Sequence, residues 1–230
     1  MARLYLFAER QTEQTFADTV LKPYLANMGV YLQRPVLIAH ARRKGKVHRG
    51  GGRRYQPMKD DIQRFMKQEK NSGDVFFTTM IDLYAIHDEF PRLVEAESLR
   101  KQPFQRVAFL EEAFADDISD RRFVPYIQLH EFEAYLFSDL VWLEFYYDGR
   151  DQQIAELKAI ANGYTSPELI NDGPHTAPSK RIAAHFPDYE DQKVIVGSGV
   201  GELIGLPAIR AKCPHFDAWI TKLEQLRGVP

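Results

Sequence analysis

Apolar and polar positions along the chain fall into two rhythms, one of strands and one of helices. RLYLFA (3–8) is a short apolar run that predicts a buried strand ending at Glu9. QTEQTFADTVLKPYLANMG follows with helical spacing. Phe16, Val20, Leu21 and Leu25 fall on one face, Thr12 is placed to cap, Glu13 suits the positive end of the helix dipole, and Gly29 marks a stop. VYLQRPVLIAH predicts a strand interrupted at Pro35. PMKDDIQRFMKQEK predicts a surface helix with Met58, Ile62, Phe65 and Met66 inward. DVFFTTMIDLYAI (74–86), rich in β-branched and aromatic residues, predicts a buried strand that surfaces near Asp82. FQRVAFLEEAFADDI is helical in pattern, and RFVPYIQLHEFEAYLF begins as a strand.

This β-α-β-α-β-α-β order predicts an α/β fold, a mostly parallel sheet with flanking helices, over residues 1–137. From 138 to 230 the pattern is mostly helical, as in IAELKAIANG, APSKRIAAHF and HFDAWITKLEQL, and predicts a helical extension packed on that core. An apolar content of 44% with 15 phenylalanines is enough to fill a core and argues against disorder. Cys213 is the single cysteine, which rules out an internal disulfide and fits a reducing compartment. The apolar run in MARLYLFAERQTE is too short for a signal peptide or a membrane span. The expectation is a soluble, cytoplasmic protein with no membrane partner.

A net charge of −2 conceals a local asymmetry. HARRKGKVHRGGGRR (40–54) carries Arg42, Arg43, Lys44, Lys46, Arg49, Arg53 and Arg54 without an acid, a pattern suited to a nucleic-acid backbone. If roughly five of these side chains met phosphates, the log–log salt slope of binding would be about −3.5 to −4.5. The alternatives are a solvated loop or a docking site for an acidic protein. Lys180 and Arg181, in TAPSKRI, fall in the first turn of a predicted helix, where a cation opposes the dipole. Either a bound phosphate or a neighbouring acid is expected there.

The acids at strand ends raise the sharper question. Glu9 ends the first strand, Asp82 a later one, and Glu131 and Glu133 follow the fourth, inside the apolar stretch PYIQLHEFEAYLF. Parallel strands would bring these acids to one rim, outside the carboxyl ends where open α/β sheets bind ligands. A strand that stays extended through HEFEA puts Glu131 and Glu133 on one face; a helix starting there separates them. Clustered carboxylates need compensation. A hard cation, Mg²⁺ or Mn²⁺, suits all-oxygen ligands, and zinc is disfavoured because no HExxH spacing occurs and the cysteine is remote. The competing expectation pairs each acid with an arginine, Arg10, Arg121 and Arg122 being near in sequence.

FAERQTEQTF resembles the first Toprim motif, a strand ending in a catalytic Glu and followed by a helix, often VEGxTE or VEGxSD in the overcoming-lysogenization-defect (OLD) nucleases. MIDLY resembles the strand carrying the second acidic Toprim motif, and HEFEAYLF the third acidic element of the same nucleases. TEQTF, TTMIDLY, PYIQLHEFEAYLFSD, TAPSKRI and CPHFDAW together resemble an uncharacterised, Toprim-like bacterial domain family whose members are considered ATPase partners in phage defence. The resemblance implies a Toprim-like sheet, with Glu9 as metal ligand or general base and Asp82 as metal ligand. Two positions depart from the motif: Tyr84 replaces the second acid of DxD, and Arg10 replaces the glycine after Glu9. Glu131 and Glu133 are placed to supply the missing charge.

VGSGVGELIGL lacks the GK[ST] of a P-loop and the setting of a dinucleotide fingerprint, and IGLPAIRAKCP lacks the glycines of a helix-hairpin-helix. Both read as helix-boundary glycines, and Cys213 as structural. Two expectations stand. One is a metal-dependent nuclease or phosphodiesterase of Toprim type, an effector of antiviral defence acting on DNA or RNA. The other is a non-catalytic Toprim-like sensor or docking subunit of an ATPase.

Overall fold

The computed structural model describes residues 1–43, 46–49, 54–86, 89–170 and 176–228, the side chains of 39–43, 46–49, 85, 227 and 228 excepted. Strand β1 (Ala2–Ala8) leads into α1 (Gln11–Phe16), which runs on through a π turn, Ala17–Leu21, into α2 (Lys22–Asn27). Thr12 does not cap this helix. Arg10 holds the cap position without a side-chain bond, and Thr12 lies buried as the second residue of the helix. Next come β2 (Val30–Leu32) and β3 (Val36–Leu37), broken at Pro35, whose missing N–H cannot join a ladder. The basic segment then forms an antiparallel hairpin, β4 (Ala39–Arg43) and β5 (Lys46–Arg49), before α3 (Tyr55–Gln68). The remaining strands are β6 (Val75–Asp82), β7 (Phe123–Val124) and β8 (Ile127–Gln128), with α4 (Leu93–Ala96) and α5 (Pro103–Ile118) between β6 and β7.

The main sheet is parallel throughout, in the order β2-β1-β6-β7, with β3 continuing beyond β2 along β1 and β8 beyond β7 along β6. Pro125 breaks the second outer row as Pro35 breaks the first. Alternation along the central strands feeds two cores, which is why β1 and β6 read as near-continuous apolar runs. Leu4, Leu6, Phe76 and Met80 face one core; Phe7, Val75, Phe77 and Ile81 face the other. The second core is closed by α3 and α5 through Met58, Ile62, Val107, Leu110 and Phe114.

The first core extends into the helices that follow β8: two 3-10 segments, Phe132–Ser138 and Leu140–Phe145, then α6 (Asp151–Ala161), α7 (Pro178–His185), α8 (Tyr189–Gln192), α9 (Ser198–Ile204), α10 (Leu206–Lys212) and α11 (Pro214–Glu224). Trp219 of α11 stacks on Tyr126 at 4.1 Å between centroids, and its Nε1 donates to Thr78 of β6 at 2.9 Å. Glu168 caps α11 by accepting the backbone N–H groups of His215 (3.0 Å) and Phe216 (2.9 Å).

The glycines of VGSGVGELIGL divide between two roles. Gly205, at φ 77°, is the boundary between α9 and α10 that the sequence predicts. Gly197 and Gly201 instead lie inside helical turns and let them approach α1: a Cβ on Gly201 would stand 3.2 Å from the Phe16 ring, and one on Gly197 3.2 Å from Thr12. Among the described residues, no single helix is long and apolar enough to cross a membrane.

Candidate functional site

All parallel strands point their carboxyl ends the same way, and the ladder register sets the rim: Ala8 is level with Leu37 and Met80, and Asp82 with Gln128. Glu9 is one residue past β1 and Asp82 is the last residue of β6. Both are nearly inaccessible, at 2% and 3% exposure. The two are joined through backbone, since the N–H of Asp82 donates to Glu9 Oε2 at 3.0 Å.

The fourth row departs from the expectation that Glu131 and Glu133 close a strand. It ends at Gln128, whose Nε2 donates to Asp82 Oδ1 at 2.7 Å and, at 3.4 Å, to Glu13 Oε1. Two residues on, His130 takes a left-handed φ of 69° and turns the chain. Glu131 is then extended, and Glu133 lies in the first turn of the 3-10 segment. The turn leaves both acids within electrostatic reach of the rim. Both are buried, the charge of Glu131 is felt at Asp82, and that of Glu133 at Glu13 and Arg10.

By sequence Glu13 suits the helix dipole, but α1 turns it inward, 1% exposed, toward the same acids. The signal that could have found it is the spacing ERQTE, which sets Glu13 four residues, about one helical turn, after Glu9. Five carboxylates, Glu9, Glu13, Asp82, Glu131 and Glu133, are thus buried within electrostatic reach of one another. Among the described residues, the cations whose fields reach them include Arg10, half-exposed with Nε 3.3 Å from Glu9 Oε1, and Lys180 and Lys193, both already paired with Glu190. Arg121 is exposed, and Arg122 is taken up by Asp120 and the carbonyls of Met66 and Glu69.

The imbalance is visible in proton affinity. Burial, then the charge of Glu9, pushes Glu13 up to about 8. Burial, then Glu9 and Glu13, holds Asp82 well above the usual carboxylate range. Burial and Glu133 raise Glu131 to about 7, although Ser179 opposes this by donating its backbone N–H (2.5 Å) and Oγ (3.0 Å). The Ser179 N–H lies in the first turn of α7, so Glu131 is the anion at that helix end. The acid expected beside Lys180 is Glu190, at 2.7 Å, and Arg181 Nε donates to the Thr176 carbonyl at 2.6 Å. Tyr189 donates to Glu133 at 3.2 Å. His130 is driven down to about 4, by burial and then by Arg106, so its ring is neutral near pH 7.

In this cluster two buried oxygens, Glu13 Oε2 and Gln128 Oε1, have no hydrogen-bond partner among the described residues. The donor set is all oxygen, anionic and buried, which is the chemistry of a hard divalent cation. Among the described residues no group of three or more His, Cys, Asp or Glu side chains is placed to hold a metal ion as it stands. Amide and hydroxyl donors now occupy Asp82, Glu131 and Glu133, and a cation would have to displace some of them.

At the same rim the Ile38 N–H donates to the Ala8 carbonyl at 3.0 Å, so the β4–β5 hairpin leaves the sheet one residue further on. Arg42, Arg43, Lys46 and Arg49 lie on its strands, with Arg43 paired to Lys46 and Arg42 to Val47. Arg54 is exposed just before α3. Lys44 and Arg53 lie outside the described residues.

Residues 8–224 match the family model described as domain of unknown function DUF4276. No curated protein and no solved structure matches the chain.

Proposed function

The chain belongs to the DUF4276 family, and for this member we propose a divalent-metal-dependent phosphodiesterase of Toprim type that cleaves nucleic acid. One observation carries the reading: five carboxylates are buried within electrostatic reach of one another about the carboxyl rim of a parallel sheet, and Glu13 Oε2 has no hydrogen-bond partner among the described residues. Burying carboxylates this close to one another costs several kcal/mol by rough estimate, and a bound cation would offset part of that cost. Glu9, Glu13 and Asp82 would hold Mg²⁺ or Mn²⁺, with Glu131 or Glu133 completing the charge. The bound ion would polarise a phosphodiester and make water more acidic.

The residues themselves do the rest. Glu9, fixed by the Asp82 N–H, keeps one oxygen turned to Arg10, whose half-exposed guanidinium can meet a phosphate oxygen as charge grows on it. The hairpin residues Arg42, Arg43, Lys46 and Arg49 would run along the strand being cut and set its register. Further support is the likeness of FAERQTE to the Toprim motif of OLD nucleases. With that likeness comes the proposal of an effector role in anti-phage defence beside an ATPase.

The test is cleavage of DNA, RNA and tRNA with Mn²⁺ or Mg²⁺ by wild type, Glu9→Gln and Asp82→Asn, together with melting temperature against Mn²⁺. Cleavage and a Mn²⁺-dependent rise in melting temperature that both vanish in Asp82→Asn support the reading. Equal cleavage by the variants removes it. A second reading, a docking subunit without catalysis, is favoured by Val141, Trp142 and Phe145 on one short 3-10 segment, 38%, 37% and 73% exposed. It expects an ATPase to bind equally well to wild type and Asp82→Asn, and to bind Phe145→Ala poorly.

A further inference from the structure

Tyr84 stands two residues past Asp82, in the 3-10 turn Leu83–Ala85. It is 43% exposed, whereas none of the cluster acids exceeds 8%. The turn is anchored from both sides. Leu83 is buried in the core beneath it, and the Tyr84 N–H donates to the His130 carbonyl at 3.4 Å. The two rings then meet, with centroids 5.6 Å apart and planes tilted by 33°. His130 is only 9% exposed and adopts the left-handed backbone that side chains other than glycine rarely take. The strained turn therefore sets an imidazole behind an exposed phenol, at the junction of the two strands that present Asp82 and Gln128.

From this juxtaposition we infer that Tyr84, backed by His130, is a stacking platform for an unpaired nucleobase, so that the substrate is single-stranded nucleic acid or a single-stranded element within a longer one. The inference rests on the reading of the rim as a nucleic-acid site. An aromatic face takes a base only when that base is out of its duplex stack. The cationic hairpin that leaves the same rim after Ile38 would suit the backbone of such a strand, as in single-strand grooves that alternate charge with aromatic faces. The carboxylates themselves cannot contribute to this affinity, because they repel phosphate until a cation is bound. A base held on Tyr84 would place its flanking phosphodiester beside Asp82, which couples recognition to the position of the cut.

The experiment measures binding without cleavage, in EDTA, using oligonucleotides that carry one 2-aminopurine. Single-stranded DNA, single-stranded RNA and the matching duplexes are titrated with wild type, Tyr84→Phe, Tyr84→Ala and Tyr31→Ala. Tyr31 is equally exposed, at 43%, but lies on β2 and serves as the control. Expected are quenching of the base by wild type and Tyr84→Phe, a roughly tenfold or greater loss of single-strand affinity in Tyr84→Ala, as one stacked base supports, and no loss in Tyr31→Ala. The DNA and RNA arms decide which strand is preferred. Single-strand affinity unchanged in Tyr84→Ala, or duplex affinity falling equally, overturns the platform. The two proposals fail separately: Tyr84-dependent binding without Mn²⁺-dependent cleavage removes the nuclease and keeps the platform, and cleavage with Tyr84-independent binding does the reverse.

Discussion

The backbone N–H of Asp82 donates to Oε2 of Glu9 at 3.0 Å, tying the residue that ends β6 to the acid that follows β1. Charge and hydrogen bonding at Glu9 can therefore be separated. Glu9→Gln keeps an acceptor for that N–H and removes one negative charge from the cluster, so its stability in metal-free buffer should equal or exceed that of wild type. Glu9→Ala leaves a buried donor unmet and should lose about 1–3 kcal/mol. Urea denaturation of the three proteins checks the order.

The pH dependence of stability follows from the raised carboxyls. Glu13, at about 8 in the fold against an ordinary 4.5, binds its proton more tightly when folded. Its contribution is complete below the ordinary value and is lost as pH rises through about 8. Asp82 shifts in the same direction, as does Glu131, raised to about 7. In EDTA the melting temperature should fall between roughly pH 5 and pH 8, and Glu13→Gln should flatten the decline. A profile that rises across this window would contradict the proton-sharing cluster.

Gly201 has room for a hydrogen and little else, with Phe16 atoms 3.2 and 3.3 Å and a Phe132 atom 3.4 Å from where a Cβ would stand. Gly201→Ala should cost about 1–3 kcal/mol despite the better helix propensity of alanine. The displaced α1 carries Glu13, so the variant should also lose part of any Mn²⁺-dependent rise in melting temperature. Calorimetry with and without Mn²⁺ reads both effects.

Glu168 is fully buried and accepts two N–H groups at the start of α11. Glu168→Ala should cost about 1–3 kcal/mol, with faster hydrogen exchange at His215 and Phe216. Lys180→Ala is the contrast, since its exposed ion pair with Glu190 is worth about 0–1 kcal/mol.

Much of the scaffold was legible because it is written in local rhythm. The apolar runs of β1 and β6 announce strands buried on both faces, and Pro35 announces a break by lacking a donor. The placement of Glu9 and Asp82 at strand ends follows from the same runs. HEFEA was ambiguous because alternation and a helix start both fit five residues. The positive φ of His130, which no composition rule demands, settled it in favour of a turn.

Sequence by itself determined the strand and helix order, the acids at the ends of β1 and β6, and the run of cations between β3 and α3. Tertiary structure decided that Glu13 points inward, that Gln128 rather than Glu131 stands level with Asp82, and that Glu131 serves the end of α7. Periodicity is a property of neighbours along the chain and can be read there. The phase of a helix against a sheet, and the meeting of side chains such as Glu13 and Gln128, 115 residues apart, are set by how two cores fill, and no local pattern contains that.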